Sequence, residues 1–154
     1  MRLGLNRVVL VNSVRATIAA VAAMLLARML NLAEFYWAPI SAIVILLSTI
    51  DPKALAWQRF VGTALGAVVA ALMATYLPAN WIVYGVGIFV CGILSALLRI
   101  GTAYRFAAIT LSIVLLIAHV RPPWIVAWHR FVEVSLGIAV ALLVTLIWPA
   151  PIAP

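Results

Sequence analysis

From Phe60 to Leu98 the chain carries no Asp, Glu, Lys or Arg. As one helix this stretch would run to roughly 58 Å, about twice the thickness of a hydrocarbon core. It therefore has to fold back, and Leu77, Pro78, Ala79 and Asn80 supply a turn signal near its middle. Such a hairpin has no polar face to show to water. The whole chain is similar, with 68% hydrophobic and 8% charged residues and a mean hydropathy of +1.28. Too few polar side chains exist to coat a soluble domain of 154 residues, so most soluble enzymes are excluded.

The expected class is an all-α membrane protein with residues 1–154 forming a single six-span domain. The first span is predicted from Ser13 to Leu32 and the second from Phe35 to Ile50, ended by Asp51 and Pro52. The third and fourth lie either side of Pro78. The fifth runs from Phe106 to Val120, before Arg121, Pro122 and Pro123, and the sixth from Trp124 to Trp148. All six tryptophans, Trp37, Trp57, Trp81, Trp124, Trp128 and Trp148, fall near expected span ends, where amphipathic rings favour the headgroup level. Cys91, alone in an apolar run, reads as a packing residue.

The chain also matches itself at an offset of 71 residues. Pro52, Trp57, Arg59, Phe60 and Val61 fall on Pro123, Trp128, Arg130, Phe131 and Val132, followed by Gly66 on Gly137, Ala70 on Ala141 and Pro78 on Pro149. At the same offset Arg28 falls on Arg99 and Ser41 on Ser112. The repeating unit is three spans long, an odd number, so consecutive copies must enter the membrane in opposite senses. The expectation is two inverted three-helix repeats, about residues 1–71 and 72–149, whose spans cover about 13–78 and 84–149; many secondary transporters are built this way. With both termini cytoplasmic, Arg2, Arg7, Arg15, Lys53, Arg59, Arg99 and Arg105 lie inside, against Arg28, Arg121 and Arg130 outside. That asymmetry follows the positive-inside pattern. Between the copies Glu34 corresponds to Arg105 and Lys53 to Trp124, as a reversal of orientation would favour.

Trp37, Ala38, Pro39, Ile40 and Ser41 open one span, and Arg59, Gly62, Thr63 and Gly66 follow a short polar loop. This pairing resembles the fusaric acid resistance protein-like family, which includes aromatic acid exporters of bacterial inner membranes and is similar to plant aluminium-activated malate transporters. The resemblance covers nearly the whole chain. It implies export of aromatic or other organic carboxylates, and of hydrophobic toxic compounds. Long members of that family carry a second six-span block and a cytoplasmic domain outside these residues, which makes a homo-oligomer, by default a dimer, the expectation here.

The candidate chemistry is electrostatic. An organic anion needs fixed positive charge along its path, and a guanidinium can offer a carboxylate two parallel hydrogen bonds. Arg28, Arg59, Arg99 and Arg130 are the candidates, with snorkelling to lipid phosphate as the competing use of Arg59 and Arg130. Glu133 stands where the first copy has Gly62, one turn after Arg130. It is either an ion-pair partner or a carboxylate that couples transport to protons. Trp37 and Pro39 open the second span as an irregular, substrate-lining start or as an ordinary helix N-terminus. Gly62, Gly66 and Gly137, with Ala16, Ala19, Ala20, Ala23 and Ala27, are close-packing positions within or between protomers. His119 and His129 lie near the expected outer face.

No Walker-type phosphate loop, metal-ligand spacing or nucleophile elbow is present, so neither an enzyme nor a cofactor is expected. The reading that results is an inner-membrane secondary transporter exporting organic anions. A passive anion channel and a non-transporting membrane subunit are the alternatives. The expected partners are the lipid bilayer, a small organic anion, a second copy, and a periplasmic adaptor or second transporter subunit. Nucleic acid is not among them.

Overall fold

The computed structural model describes residues 7–117 and 121–149. Six helices follow one another: α1 (Arg7–Met29), α2 (Trp37–Leu46), α3 (Pro52–Tyr76), α4 (Trp81–Leu97), α5 (Tyr104–Ile117) and α6 (Pro123–Ile147), with a 3-10 turn at Gly101–Ala103 before α5. Among the described residues there is no strand. Helices α1, α3 and α6 are long and apolar enough to cross a membrane. Helix α4 has 17 residues, α5 has 14 and α2 only 10, so α2 rises about 15 Å, half a hydrocarbon core. Length alone therefore supports three crossings, not the six expected.

Local chemistry explains the boundaries. Pro52 and Pro123 each occupy a first helical position, where a missing N–H costs nothing. Asp51 Oδ2 accepts from the Ala54 amide at 2.9 Å, and Asn80 Oδ1 caps α4 by accepting from the Val83 amide at 2.8 Å. Helix α2 stops before the expected Ile50 because Ser48 Oγ accepts from the Ile50 amide at 3.1 Å, giving the backbone a local alternative to another helical turn. Helix α1 already includes Arg7 to Asn12, ahead of the expected Ser13, since nothing between them breaks a helix.

Helices α1 and α4 end alike. Leu32 N donates to Ala27 O and Asn31 N to Arg28 O; Ile100 N donates to Ser95 O and Arg99 N to Ala96 O. Both are Schellman ends, with Asn31 at φ 52° and Arg99 at φ 57° in the left-handed region. The residue equivalent to Arg99 in backbone terms is thus Asn31 rather than Arg28, and the 71-residue register slips by three residues here. Arginine has a steric cost in this conformation that glycine lacks. Arg99→Gly is expected to raise stability by about 1 kcal/mol, read as the thermal midpoint in detergent.

The chain forms two compact units, Met1–Ala56 with Glu133–Pro154, and Trp57–Val132. In the first, α1 packs along α2, and Ala19, Ala23 and Ala27 are fully buried. Their spacing of four residues makes the close-packing ridge read in the sequence, and it closes within the chain. Gly137 of α6 lies directly against the Ala38 carbonyl of α2 and would put a β-carbon 2.6 Å from Ser41 Cβ.

In the second unit, Gly62 and Gly66 of α3 lie against the carbonyls of Ala103 and Ala107. A core of Ala67, Ala70, Met73, Cys91, Leu111 and Val114 fills the space between α3, α4 and α5. Tyr84 Oη and Ser112 Oγ share a hydrogen bond of 2.9 Å between α4 and α5. The α6 segment in this unit meets α3 through Phe60 and Phe131, whose ring centres are 5.1 Å apart. Beyond them a groove of about 280 Å³ is lined by Ala64, Ala67 and Val68 on one side and Trp124, Ala127 and Trp128 on the other. As α3 advances the α6 residue numbers fall, so the two helices run antiparallel over this stretch. Outward positions are strongly apolar, Trp81 at 81% exposure and Ile147 at 81% among them, as a lipid-facing surface requires.

Candidate functional site

Arg59 and Arg130 occupy the same place in two helices of equal length. Each is the eighth residue of a 25-residue helix that opens on proline, about 10 Å along the axis from its start. Arg59 is 7% exposed and Arg130 2% exposed. Both arginines are inside the protein. Each immediately precedes one ring of the Phe60–Phe131 contact. Trp57 stacks on Phe60 with ring centres 6.4 Å apart and Trp128 lies tilted against Phe131 at 6.2 Å, completing a run of four aromatic rings across the two helices.

Arg59 also lies over the Phe106 ring, 5.1 Å from its centre, and Arg105 lies 4.8 Å from the centre of the same ring. Arg105 Nη2 donates to Gln58 Oε1 at 3.3 Å. Gly62 and Gly66 make this meeting possible. With no β-carbons they let α3 come against the backbone that opens α5, bringing Gln58 and Arg59 to Arg105 and Phe106. Residues 57–132 contain Arg59, Arg99, Arg105, Arg121 and Arg130 and no acidic residue, so this unit is a concentration of fixed positive charge.

The three acids, Glu34, Asp51 and Glu133, all belong to the other unit. Glu133 is fully buried and its Oε1 accepts from the backbone N–H of Glu34 at 2.7 Å. Glu34 Oε2 in turn accepts from Trp37 Nε1 at 2.9 Å. The carboxylate on α6 thereby fixes the connection that leads into α2, and Trp37 is oriented by the same connection. Pro39 sits in the first turn of α2, where its lack of an N–H breaks no bond, so α2 has an ordinary proline-containing start. Glu133→Leu would leave the Glu34 amide buried without this acceptor and is expected to cost about 1–3 kcal/mol. Glu133→Gln keeps an oxygen there and is expected to unfold close to the wild-type midpoint, both variants being compared by thermal melting in detergent.

Arg28 and Arg99 are exposed at the ends of α1 and α4, not set deep in the bundle. Arg28 lies 4.5 Å from the centre of the Phe35 ring. His129 Nδ1 donates to the Ile125 carbonyl at 2.8 Å, which places its proton on that nitrogen. His119 and Arg2 lie outside the described residues. Among the expected positions the structure joins Trp37 with Glu133 through Glu34, and buries Arg59 and Arg130 at corresponding places on α3 and α6. It adds Gln58, Arg105 and Phe106, which the sequence reading passed over. A signal for them was available, since Phe35 falls on Phe106 at the 71-residue offset directly after Glu34 on Arg105.

Apolar helices with buried arginines and a buried carboxylate define a multi-pass helical membrane protein whose interior handles charge. Residues 21–144 match the fusaric acid resistance protein-like family. The chain belongs to that family, whose members are membrane proteins of transport and resistance. No curated protein and no solved structure matches the chain.

Proposed function

We propose that the protein is a secondary transporter that exports organic anions, aromatic carboxylates and related toxic compounds among them, across the bacterial inner membrane, with both termini cytoplasmic. The observation that carries this reading is the burial of Arg59 and Arg130 beside the Phe60–Phe131 contact. Charge within a membrane is expensive, and arginine in such a place suits recognition of a planar carboxylate. The aromatic rings around it suit an aromatic body on the same molecule.

The repeats are inverted in this reading. Helices α3 and α6 run antiparallel where Phe60 meets Phe131, the two residues the 71-residue offset pairs with each other. Each compact unit joins the first two helices of one copy to part of the third helix of the other. The short helix in second place, α2 or α5, lies under a glycine of that third helix. Short helices at corresponding positions of two inverted copies are where transporters bind substrate. Six spans then require α2 and α5 to be completed by the irregular segments beside them. Glu133, one turn from Arg130, is the coupling carboxylate. A homodimer gives the path a wider wall, and a periplasmic adaptor or second subunit extends it beyond the membrane.

The test is flux of labelled 4-hydroxybenzoate in proteoliposomes of the purified protein, with and without a pH gradient. Saturable flux that responds to the gradient in wild type, and downhill flux that no longer responds in Glu133→Gln, is the expected outcome. Flux that never responds to the gradient while still depending on Arg59 would make the protein an anion channel. No flux for a panel of carboxylates would leave the non-transporting subunit.

A further inference from the structure

Helix α1 contains Arg7, Arg15 and Arg28 and no acidic residue. Arg7 and Arg28 are exposed, whereas Arg15 is only 1% exposed. It stands about 12 Å along the axis from Arg7 and about 21 Å from Met29, away from both ends of a helix long enough to cross a membrane. It also takes the next place in the row of buried Ala19, Ala23 and Ala27, where a small apolar side chain would continue the ridge. A full charge in such a place is expensive unless something pairs with it, which marks it as functional rather than as packing.

The hydrogen bonds of Arg15 show what is lacking. Nη1 donates to Asn12 Oδ1 at 3.0 Å, which fixes how the plane of the guanidinium is turned. Nε and Nη2 are buried and have no hydrogen-bond partner among the described residues. These two atoms form one edge of the planar group. Their N–H bonds along that edge point the same way, in the fork that meets both oxygens of a carboxylate. The acids of the same compact unit are engaged elsewhere: Glu34 Oε2 with Trp37 Nε1, Asp51 Oδ2 with the Ala54 amide and Glu133 Oε1 with the Glu34 amide. None of them pairs with Arg15 among the described residues.

We propose that the Nε–Nη2 edge of Arg15, held in plane by Asn12, is a buried binding site for the carboxylate of an organic anion. One guanidinium balances one negative charge, so a monoanion suits the site and a phosphate dianion would leave net charge buried. The two atoms are closed to solvent, so an anion reaches them only when α1 parts from its neighbours. The identity of the anion rests on the transporter reading; the unpaired fork does not.

The experiment combines titration calorimetry and thermal melting of the purified protein in detergent with flux in proteoliposomes, using 4-hydroxybenzoate as the probe. Phosphatidylglycerol added to the micelles is a separate arm. Wild type is compared with Arg15→Lys, which keeps the charge without the fork, and Arg15→Met, which keeps much of the volume without the charge. Binding is expected to weaken about a hundredfold in Arg15→Met and about tenfold in Arg15→Lys. At about 100 times the wild-type Kd, 4-hydroxybenzoate should raise the wild-type midpoint by several degrees and that of Arg15→Met by about a degree. Without ligand, Arg15→Met is expected to melt at or above the wild-type midpoint, because it removes a buried charge that has no counter-charge.

A ligand-free midpoint that falls in Arg15→Met, with affinity unchanged, would overturn the proposal and make Arg15 a packing residue. Stabilisation of wild type by phosphatidylglycerol that Arg15→Met abolishes, with no response to 4-hydroxybenzoate, would also overturn it, making the fork a lipid-phosphate site. Flux and KM unchanged in Arg15→Met would overturn the proposal while leaving the transporter reading intact. Binding that depends on Arg15, without flux, would support the site and overturn the transporter reading. Wild type that neither binds nor transports 4-hydroxybenzoate overturns both.

Discussion

Arg130→Ala is expected to lower carboxylate flux by about a hundredfold, and Arg59→Ala by a similar factor, while Arg28→Ala and Arg99→Ala stay within about threefold of wild type. The contrast follows from burial. A charge-assisted hydrogen bond is worth about 1.5–3 kcal/mol, and a two-pronged one in a site shielded from water lies at the upper end, which corresponds to about a hundredfold in rate or affinity. Arg59 and Arg130 are buried, whereas Arg28 and Arg99 are exposed at helix ends, where water and lipid phosphate screen them. Lysine at position 130 keeps the charge without the planar fork and is expected to recover about a tenth of the flux. Circular dichroism and the thermal midpoint of each variant separate lost transport from lost folding. Equal losses at all four arginines would mean that positive charge acts through the overall field and not at a buried site.

The elements that depend on nearest neighbours were legible in the chain. Asp51 with Pro52, Asn80, and Pro122 with Pro123 mark helix starts at the residues where α3, α4 and α6 begin. The turn at Pro78 divides the uncharged run as expected. Helix α2 was not legible at its true length, because the apolar run through Ile45, Leu46, Leu47 and Ile50 looks helical by hydropathy and a single Ser48 hydroxyl decides otherwise. The depth of Arg59 and Arg130 escaped for another reason. A Trp, an Arg and a Phe near a helix start read identically for an interfacial anchor and for a buried charge, and the difference lies in what packs over them. The shared Phe106 ring joins Arg59 and Arg105 across a long separation in sequence, and only the close approach of α3 to the start of α5 creates it. The strict 71-residue register also failed at one point, the cap formed by Asn31 and Arg99, since a constant offset cannot register a difference in where helices end.

Gly137→Ala and Gly66→Ala are expected to be the most destabilising single substitutions by volume added, and Gly85→Ala the opposite. A β-carbon on Gly137 would collide with the Ala38 carbonyl and lie 2.6 Å from Ser41 Cβ; one on Gly66 would collide with the Ala107 carbonyl. Both obstacles are the backbone of a neighbouring helix or rigidly attached to it, so relief requires moving a whole helix rather than turning a side chain. Overpacking of this kind costs about 1–3 kcal/mol for each inserted carbon. Gly85 lies in the interior of α4 with nothing within 4 Å of the same added carbon. There alanine only restricts the unfolded chain and favours the helix, by about 0.5–1 kcal/mol. Thermal unfolding in detergent should therefore move down by several degrees for Gly66→Ala and Gly137→Ala and slightly up for Gly85→Ala. Because Gly66 and Gly137 are paired by the repeat and each seals the short helix of the other copy, their two losses should be alike in size. A large loss at one and none at the other would mean that the two copies are not packed by a common rule.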